Sequence, residues 1–405
     1  MGLFGKDRGI SRRSFTIGAA LSGAGIAASA ALSGCKKHPD EKPTSGEPQV
    51  VKDESQIVNV YDEYDAKDMG YKPAASWMLP LGTVLFHSEG ERAAAMMTPE
   101  DPLHPNALGV LNLTNGKLAT LIQDPASGRG YSFYDVRCSN GLFAWVEIDY
   151  VTREWSLWAQ PFSDGSLAGE QVKLDGGDEN WEPCTFAVTA SSVVWLKMPQ
   201  ASGKKSSSDS HCMMWSVGDA EGHSLLTSHG RFATPPRISS GVLTVVPRVN
   251  ENEGTYYGLT ALSLEGSGGA RIDQLVLPSP VKPFDAVYTG EVFVFSIEAA
   301  YQSVGSLGNM GTFIGREGGP YVYVGREPAA QVSFNGSRYF IKSQSSHAVV
   351  DTRAHQTGAI WSPDRCLGFG DFPASEGQTT SFLTYATVRD AKGIPQGVMA
   401  RVFAI

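Results

Sequence analysis

Residues 140–146, Asn-Gly-Leu-Phe-Ala-Trp-Val, place a tight-turn dipeptide directly before a run of apolar and aromatic residues. Glycine takes the positive φ that a two-residue β-turn requires, and the following run has the composition and length of a buried strand. Similar turn signals lie at Leu81-Gly82, Ser240-Gly241, Thr289-Gly290 and Asn335-Gly336, and Ser191-Ser192 lies near the midpoint of the interval from Asn140 to Ser240. The spacing is about 50 residues, which indicates a repeat architecture.

The apolar runs after these turns have the β-branched and aromatic composition of strands. They cover residues 83–86, 142–146, 193–196, 242–246, 292–295, 339–341 and 382–385. We interpret each as the second strand of a unit that supplies four antiparallel strands, which is one β-propeller blade. The sequence therefore predicts an all-β propeller of seven four-stranded blades over residues 54–405. Residues 55–61 alternate like a strand and are expected to close the ring as the outer strand of the last blade.

This repeat resembles the bacterial seven-bladed propellers of the WD40-like or TolB-like type. The resemblance covers about 350 residues and concerns the architecture alone, because the Gly-His and Trp-Asp signatures of WD40 repeats are missing. A pair of β-sandwiches is the competing fold, but it does not explain a unit that persists seven times.

The first 34 residues have the features of an export signal. Arg12 and Arg13 precede Phe15 and a weakly apolar run, an order that resembles the twin-arginine export motif. The run ends in Leu-Ser-Gly-Cys at residues 32–35, which resembles a bacterial lipobox. We therefore expect residues 1–34 to be a signal peptide, Cys35 to carry diacylglycerol and palmitate-type acyl chains, and residues 35–53 to form a flexible tether. The remaining domain is expected to be extracytoplasmic and anchored to a bacterial membrane.

Charge and cysteine content narrow the function classes. The chain carries a formal charge of -9, and removal of residues 1–34 leaves 29 basic and 41 acidic residues, or -12. This balance argues against nucleic-acid binding, which needs a basic face. Five cysteines are too few for a disulfide scaffold of this length. Cys138, Cys184, Cys212 and Cys366 leave several pairings open, including a Cys184–Cys212 bridge within one blade or buried free thiols.

Ligand sites of propellers usually lie on the face around the central channel, where loops leave the second strands. Charged residues follow the predicted second strands: Glu89, Glu147, Lys197, Arg248, Glu298, Lys342 and Arg389. Arg237 and Asp285 lie near the starts of predicted innermost strands, and Trp181 lies near another. All of these residues except Glu89 are our candidates for a ligand site. The alternative is that strand ends acquire charges by emerging into solvent, and that Trp181 wedges blades together.

The sequence contains no Gly-x-Ser-x-Gly, His-Glu-x-x-His or Cys-x-x-Cys motif, and we predict neither a metal site nor a cofactor. The predicted function is a membrane-anchored binding module for an envelope protein, peptide or glycan, without chemistry of its own. The alternative is an enzyme that uses the loop face, either a glycan hydrolase or lyase with carboxylates such as Glu147 and Glu298, or a metal-dependent enzyme. A scaffold within an envelope complex is a third possibility.

Overall fold

A computed structural model describes residues 56–99, 101, 104–249, 254–301, 303–362 and 370–405. Arg12, Arg13, Cys35 and the predicted signal and tether, residues 1–53, lie outside the described residues. Cys366 does too. In the described part of the chain, no helix is long and apolar enough to cross a membrane.

The described chain begins with a segment of short elements. They are β1 (Ile57–Asn59), the helix α1 (Val60–Glu63), β2 (Asp65–Ala66) and β3 (Pro73–Leu79).

The strands that follow form consecutive sheets, numbered here along the chain. Sheet 1 contains β4 (Val84–Glu89), β5 (Arg92–Met97), β6 (Ala107–Asn112) and β7 (Leu118–Ile122). Sheet 2 contains β8 (Tyr131–Cys138), β9 (Leu142–Asp149), β10 (Trp155–Ser163), β11 (Ser166–Leu167) and β12 (Val172–Gly177). Sheet 3 contains β13 (Thr185–Val188), β14 (Ser192–Lys197), β15 (Ser210–Ser216) and β16 (His223–Ser228). Sheet 4 contains β17 (Arg237–Ser239), β18 (Val242–Val245), β19 (Arg248–Val249), β20 (Tyr256–Ser263) and β21 (Arg271–Val276).

Sheet 5 contains β22 (Asp285–Tyr288), β23 (Phe293–Ile297), β24 (Gly311–Gly315) and β25 (Tyr321–Val324), with a 3-10 turn at Ser306–Gly308. Sheet 6 contains β26 (Ser333–Asn335), β27 (Arg338–Lys342), β28 (Ser346–Asp351) and β29 (Gln356–Trp361). The last strands are β30 (Phe372–Pro373), β31 (Gly377–Gln378), β32 (Ser381–Arg389) and β33 (Pro395–Ala404). Strands β30, β32 and β33 form sheet 7 together with β3.

Apolar clusters join each sheet to the next, and the last sheet packs on the first. Leu383 and Val398 of sheet 7 lie in one cluster with Leu85 and Ala93 of sheet 1. Equivalent clusters join every other neighbouring pair from sheets 1 and 2 to sheets 6 and 7. The described strands therefore form a closed ring, and the prediction of an all-β propeller is confirmed. The inner strands of sheets 1 to 6 are consecutive in the chain. Sheet 7 instead combines β30, β32 and β33 with β3, which comes from the start of the described chain.

The strand that closes the ring is not the predicted one. Ile57–Asn59 pairs in parallel with β25 at the outer edge of sheet 5, whereas Pro73–Leu79 pairs antiparallel with β33 as the outer strand of sheet 7. The longer β3 makes six residue pairs and β1 makes three, so β3 offers more backbone hydrogen bonds to the open edge of the ring. As a consequence, β4 is the innermost strand of sheet 1. The interpretation of residues 83–86 as a second strand was therefore wrong, and Glu89 lies at the opposite end of the ring from the other charged strand ends.

A short segment of sheet 7 crosses the centre of the ring. Strand β30 has two residues, and residues 374–379, here called the crossing segment, then leave the sheet. Within it, β31 pairs in parallel with β26 of sheet 6. The Ser88 N–H of sheet 1 donates to the Ala374 carbonyl at 3.0 Å, and the Gln378 N–H donates to Ser239 Oγ of sheet 4 at 3.0 Å. Because these partners lie on the innermost strands of sheets around the ring, the segment spans the channel.

Candidate functional site

Two arginines hold the carboxylate of the crossing segment at the centre of the ring. Arg137 Nη1 of β8 donates to Glu376 Oε1 at 2.7 Å, and Arg237 Nη1 of β17 donates to Glu376 Oε2 at 2.9 Å. Arg237 Nε also donates to Asp285 Oδ1 of β22 at 2.9 Å, and Asp285 Oδ2 accepts the Val332 N–H at 3.1 Å. We call Arg137, Arg237, Asp285 and Glu376 the central charge network. It ties sheets 2, 4 and 5 to the crossing segment.

Burial strengthens the electrostatic interactions among the four charged side chains of this network. Its side chains are between 3% and 11% exposed. Burial alone would raise the pKa of Glu376, but the positive charges of Arg137 and Arg237 outweigh it and lower that pKa to about 2. Burial alone would lower the pKa of Arg237, and the charges of Glu376 and Asp285 raise it instead. Glu376 and Arg237 are therefore held in their charged forms at neutral pH, and the network combines two arginines with two carboxylates, which makes it a structural centre.

His87 borders the network in a neutral form. Its Nδ1 lies 2.8 Å from the Cys138 carbonyl oxygen, and its Nε2 lies 3.8 Å from Glu376 Oε1. A carbonyl oxygen only accepts hydrogen bonds, so Nδ1 carries the proton and Nε2 is unprotonated. Burial lowers the pKa of His87 to about 4 in spite of the nearby Glu376 charge. The imidazole is thus uncharged at pH 7.

The structure brings four of the predicted candidates together in two pairs. Arg237 and Asp285 form an ion pair, and Lys197 lies beside Trp181. Lys197 Nζ lies 2.5 Å from Asp175 Oδ1 and 5.6 Å from the centroid of the Trp181 ring. Trp195 Nε1 donates to Asp175 Oδ2 at 2.8 Å. The exposed Lys205, in the loop between β14 and β15, places its Nζ 5.0 Å from the Trp181 centroid. These residues lie where the loops of sheets 2 and 3 meet.

Glu147 has a local structural role. Its side chain is buried, and its two oxygens accept the backbone N–H groups of Ala126 at 2.7 Å and Ser127 at 2.8 Å. Trp145 Nε1 donates to the same carboxylate at 2.8 Å. With both oxygens engaged by this loop, Glu147 does not present a carboxylate to a cleft. Within the described residues no group of three or more His, Cys, Asp or Glu side chains could hold a metal ion.

The remaining candidates are dispersed among local partners. Arg248 is half-buried, and its backbone N–H donates to Ser228 Oγ at 3.1 Å. Lys342 is fully buried, donates to the Gln344 carbonyl at 3.1 Å and lies 5.4 Å from the Phe372 ring centroid. Glu298 is exposed. Arg389 is also exposed and donates to the Gly393 carbonyl at 2.9 Å within its own turn. Their role in ligand binding stays a prediction.

A shallow hollow runs along the rim between sheets 2 and 3. It has a volume of about 360 Å³. Its wall combines apolar and charged side chains, which include Leu174, Asp175, Trp195, Lys197, Met213 and Trp215. We call it the sheet 2–3 groove. One of its edges is β12, which pairs with β10 on its inner side and lies at the edge of its sheet.

Sequence reasoning missed Arg137, Glu376 and His87. Arg137 lies two residues before the Ser139-Asn140-Gly141 turn. Its place within the strand that leads into this turn did not mark it as a functional residue. Glu376 lies in a polar stretch without a strand-like pattern, and nothing in that stretch indicates a buried carboxylate.

Comparison with known proteins identifies the architecture. No family model matches the chain, and no curated protein sequence matches it. A solved prolyl endopeptidase structure superposes with a TM-score of 0.54 at 11% identity, over 80% of this chain and 47% of that one. The β-propeller domain of the Trilobed protease from Pyrococcus furiosus, described as having an open velcro topology, gives 0.51 at 9% identity over 80% and 95%. These likenesses show the fold alone. The chain spans about half the length of the prolyl endopeptidase that it matches.

Proposed function

We propose that this protein is a lipid-anchored, extracytoplasmic propeller that binds an extended peptide or a peptide segment of a partner protein. The observation that carries the proposal is the sheet 2–3 groove, which combines apolar walls, a strand edge and cationic groups at one end. The crossing segment spans the channel of the ring, whereas the groove on the rim is open to a ligand.

Each part of the groove suits one part of an extended peptide. The outer edge of β12 offers backbone hydrogen bonds to an added strand only on the Val172 side of Gly176, because the Gly176 N–H and carbonyl pair with Asp175 Oδ1 and Lys197 Nζ. The half-buried Met213 lines the hollow beside the nearly buried rings of Trp195 and Trp215, and it offers a contact to an apolar side chain. The exposed Lys205 lies outside the lining of the groove, 5.0 Å from the Trp181 ring, which in turn lies 5.6 Å from the lining residue Lys197. Its ammonium group suits a carboxylate of the ligand. We therefore favour a peptide with apolar residues followed by an acidic one.

The surroundings of Trp181 favour a peptide over a glycan. Stacking on a sugar requires a free ring face, whereas the ammonium groups of Lys197 and Lys205 lie 5.6 and 5.0 Å from the ring centroid. Such cations are attracted to the ring quadrupole. A carboxylate that pairs with Lys205 keeps this arrangement, and a stacked sugar displaces it.

Anchoring to the membrane is the second part of the proposal. It is supported by the lipobox-like residues before Cys35 and by the Arg12-Arg13 pair. The mass of the N-terminal peptide of the purified full chain measures it directly. An acylated N-terminal Cys35 supports the anchor, whereas an unmodified Cys35 or an intact residue 1 contradicts it.

Binding is tested with the full chain, purified in detergent, against a library of extended peptides. We expect Lys205→Glu and Trp181→Ala to weaken the best peptide about tenfold each, which corresponds to about 1.4 kcal/mol. Lys117→Glu is the matched control, since Lys117 is an exposed lysine in the β6–β7 turn. If all three variants lose peptide affinity equally, or if no peptide of the library binds, the groove is not the binding site.

A further inference from the structure

A second hollow adjoins the sheet 2–3 groove at the β15–β16 turn, residues 217–222. It has a volume of about 540 Å³. We call it the sheet 3–4 hollow, and its lining includes Met214, Ser216, Asp219, Glu221 and Ser267. Ala220 and Glu221 line both the groove and the hollow. A ligand that leaves the groove at this turn therefore enters the hollow directly.

The turn between the groove and the hollow carries small side chains and is held on both sides. Gly222 packs on the Trp195 ring of the groove, since a Cβ on Gly222 would lie 2.3 Å from the ring atom Cη2. On the other side, His223 Nε2 donates to the Ser267 carbonyl of sheet 4 at 2.9 Å, because a carbonyl oxygen only accepts. The exposed residue between them is the short Ala220. The wall between the two concavities is thus low and fixed.

The wall carries carboxylates that are available to a ligand. Glu221 is exposed, and in the part of the chain that the structure describes its carboxylate makes no hydrogen bond or ion pair. Asp219 accepts the Ser216 N–H at 3.0 Å through Oδ2 alone. Lys173 of the groove does not neutralise them, since its Nζ extends along β12 to 3.5 Å from the position of a Cβ on Gly176. These carboxylates suit the cationic end of a lysine or arginine side chain.

Strand addition elsewhere in the ring indicates the direction of the ligand. The chain's own β1 and β2 each add in parallel to an outer strand, β25 and β29. In the groove, Val172 begins β12, and Asp175 further along the same strand contacts Lys197. A peptide that adds in parallel to β12 therefore begins near Glu221 and ends near Lys197 and Lys205.

We infer that the peptide ligand carries a lysine or arginine before its apolar residues, and that Glu221 recognises this residue at the sheet 3–4 hollow. The inference rests on the proposed function, since it concerns a ligand of the same groove. Lys197 pairs with His211, and β15 runs from His211 to Ser216 at the turn. Five residue steps span about 17 Å, so the basic residue precedes the acidic one by about six positions.

The test measures the affinity of the full chain, purified in detergent, for three acetylated and amidated heptapeptides. Their sequence is Lys-Val-Thr-Val-Thr-Val-Glu, with the first residue also replaced by Gln or by Glu. We expect the Lys peptide to bind about fivefold more tightly than the Glu peptide. Glu221→Gln should abolish this preference, and Glu221→Lys should reverse it. Glu91→Lys is the matched control and should keep it, since Glu91 is exposed in the β4–β5 turn of sheet 1.

Failure of the inference and failure of the proposed function give different results. If the three peptides bind equally and Lys205→Glu weakens all of them, the groove binds peptides but the inference is wrong. Equal changes of preference in Glu221→Lys and Glu91→Lys, or tighter binding of the reversed peptide Glu-Val-Thr-Val-Thr-Val-Lys, also overturn it. If none of the peptides binds, the proposed function is wrong and the inference is overturned with it.

Discussion

Replacing Glu376 by glutamine removes the carboxylate that contacts both central arginines. The substitution keeps the size of the side chain and removes its charge. Arg237 retains Asp285 as a partner, whereas Arg137 loses the ion pair that its Nη1 makes at 2.7 Å. Because Arg137 is only 11% exposed, its charge remains buried without compensation.

Two routes give similar magnitudes for the loss. The pKa of Glu376 falls from 4.5 to about 2 on folding, which corresponds to about 3 kcal/mol of stability at pH 7. Loss of one partner of a buried ion pair costs about 3–5 kcal/mol in general. We therefore expect Glu376→Gln to lower the free energy of unfolding by about 3–5 kcal/mol.

Urea unfolding at pH 7, followed by tryptophan fluorescence, measures this loss. Glu182→Gln is the matched control, because Glu182 pairs with Arg231 but the two side chains are 29% and 25% exposed. We expect that control to lose about 1 kcal/mol or less. If Glu376→Gln costs no more than Glu182→Gln, the reasoning about the central charge network is refuted.

Three further predictions follow from burial and pairing. The pKa of His87 falls from 6.5 to about 4 on folding, so its contribution to the free energy of unfolding is complete above pH 6.5 and is lost as the pH falls toward 4. His87→Asn should therefore make the free energy of unfolding less dependent on pH between 6.5 and 4. An unchanged pH dependence would contradict a neutral, buried His87. Burial raises the pKa values of the free thiols of Cys138, Cys184 and Cys212, so these thiols should react with a disulfide reagent only after unfolding; rapid labelling of any of them in the folded protein would show that it is accessible. The β3 amides that donate to β33 should exchange more slowly than those of Ile57–Asn59, since β3 pairs over six residues and β1 over three; the reverse order would restore the predicted closing strand.

Local signals in the sequence predicted the repeat well. The Asn140-Gly141 turn does lie between β8 and β9, and the apolar runs after the turns are strands in the structure. The reason is that turn chemistry and β-branched composition act within a few residues, so they can be seen without knowing the fold.

Partners distant in sequence could not be predicted in the same way. Arg137 and Glu376 are 239 residues apart, and Arg237 and Glu376 are 139 apart. Nothing in the local pattern shows that a two-residue β30 releases the chain into the channel. The closing strand was missed for a similar reason, because alternation in residues 55–61 indicates a strand without indicating which edge it joins. Arg237 and Asp285 were found since both begin innermost strands.

Photo-crosslinking tests the central claim, that the sheet 2–3 groove binds a peptide segment, most directly. A photoreactive amino acid replaces Lys205 or, as the control, Lys117 in the full chain, and native envelopes are irradiated before the products are sequenced by mass spectrometry. We expect one dominant protein or peptide adduct from position 205 that is absent from position 117. Identical adducts from both positions, or adducts from neither, would contradict it.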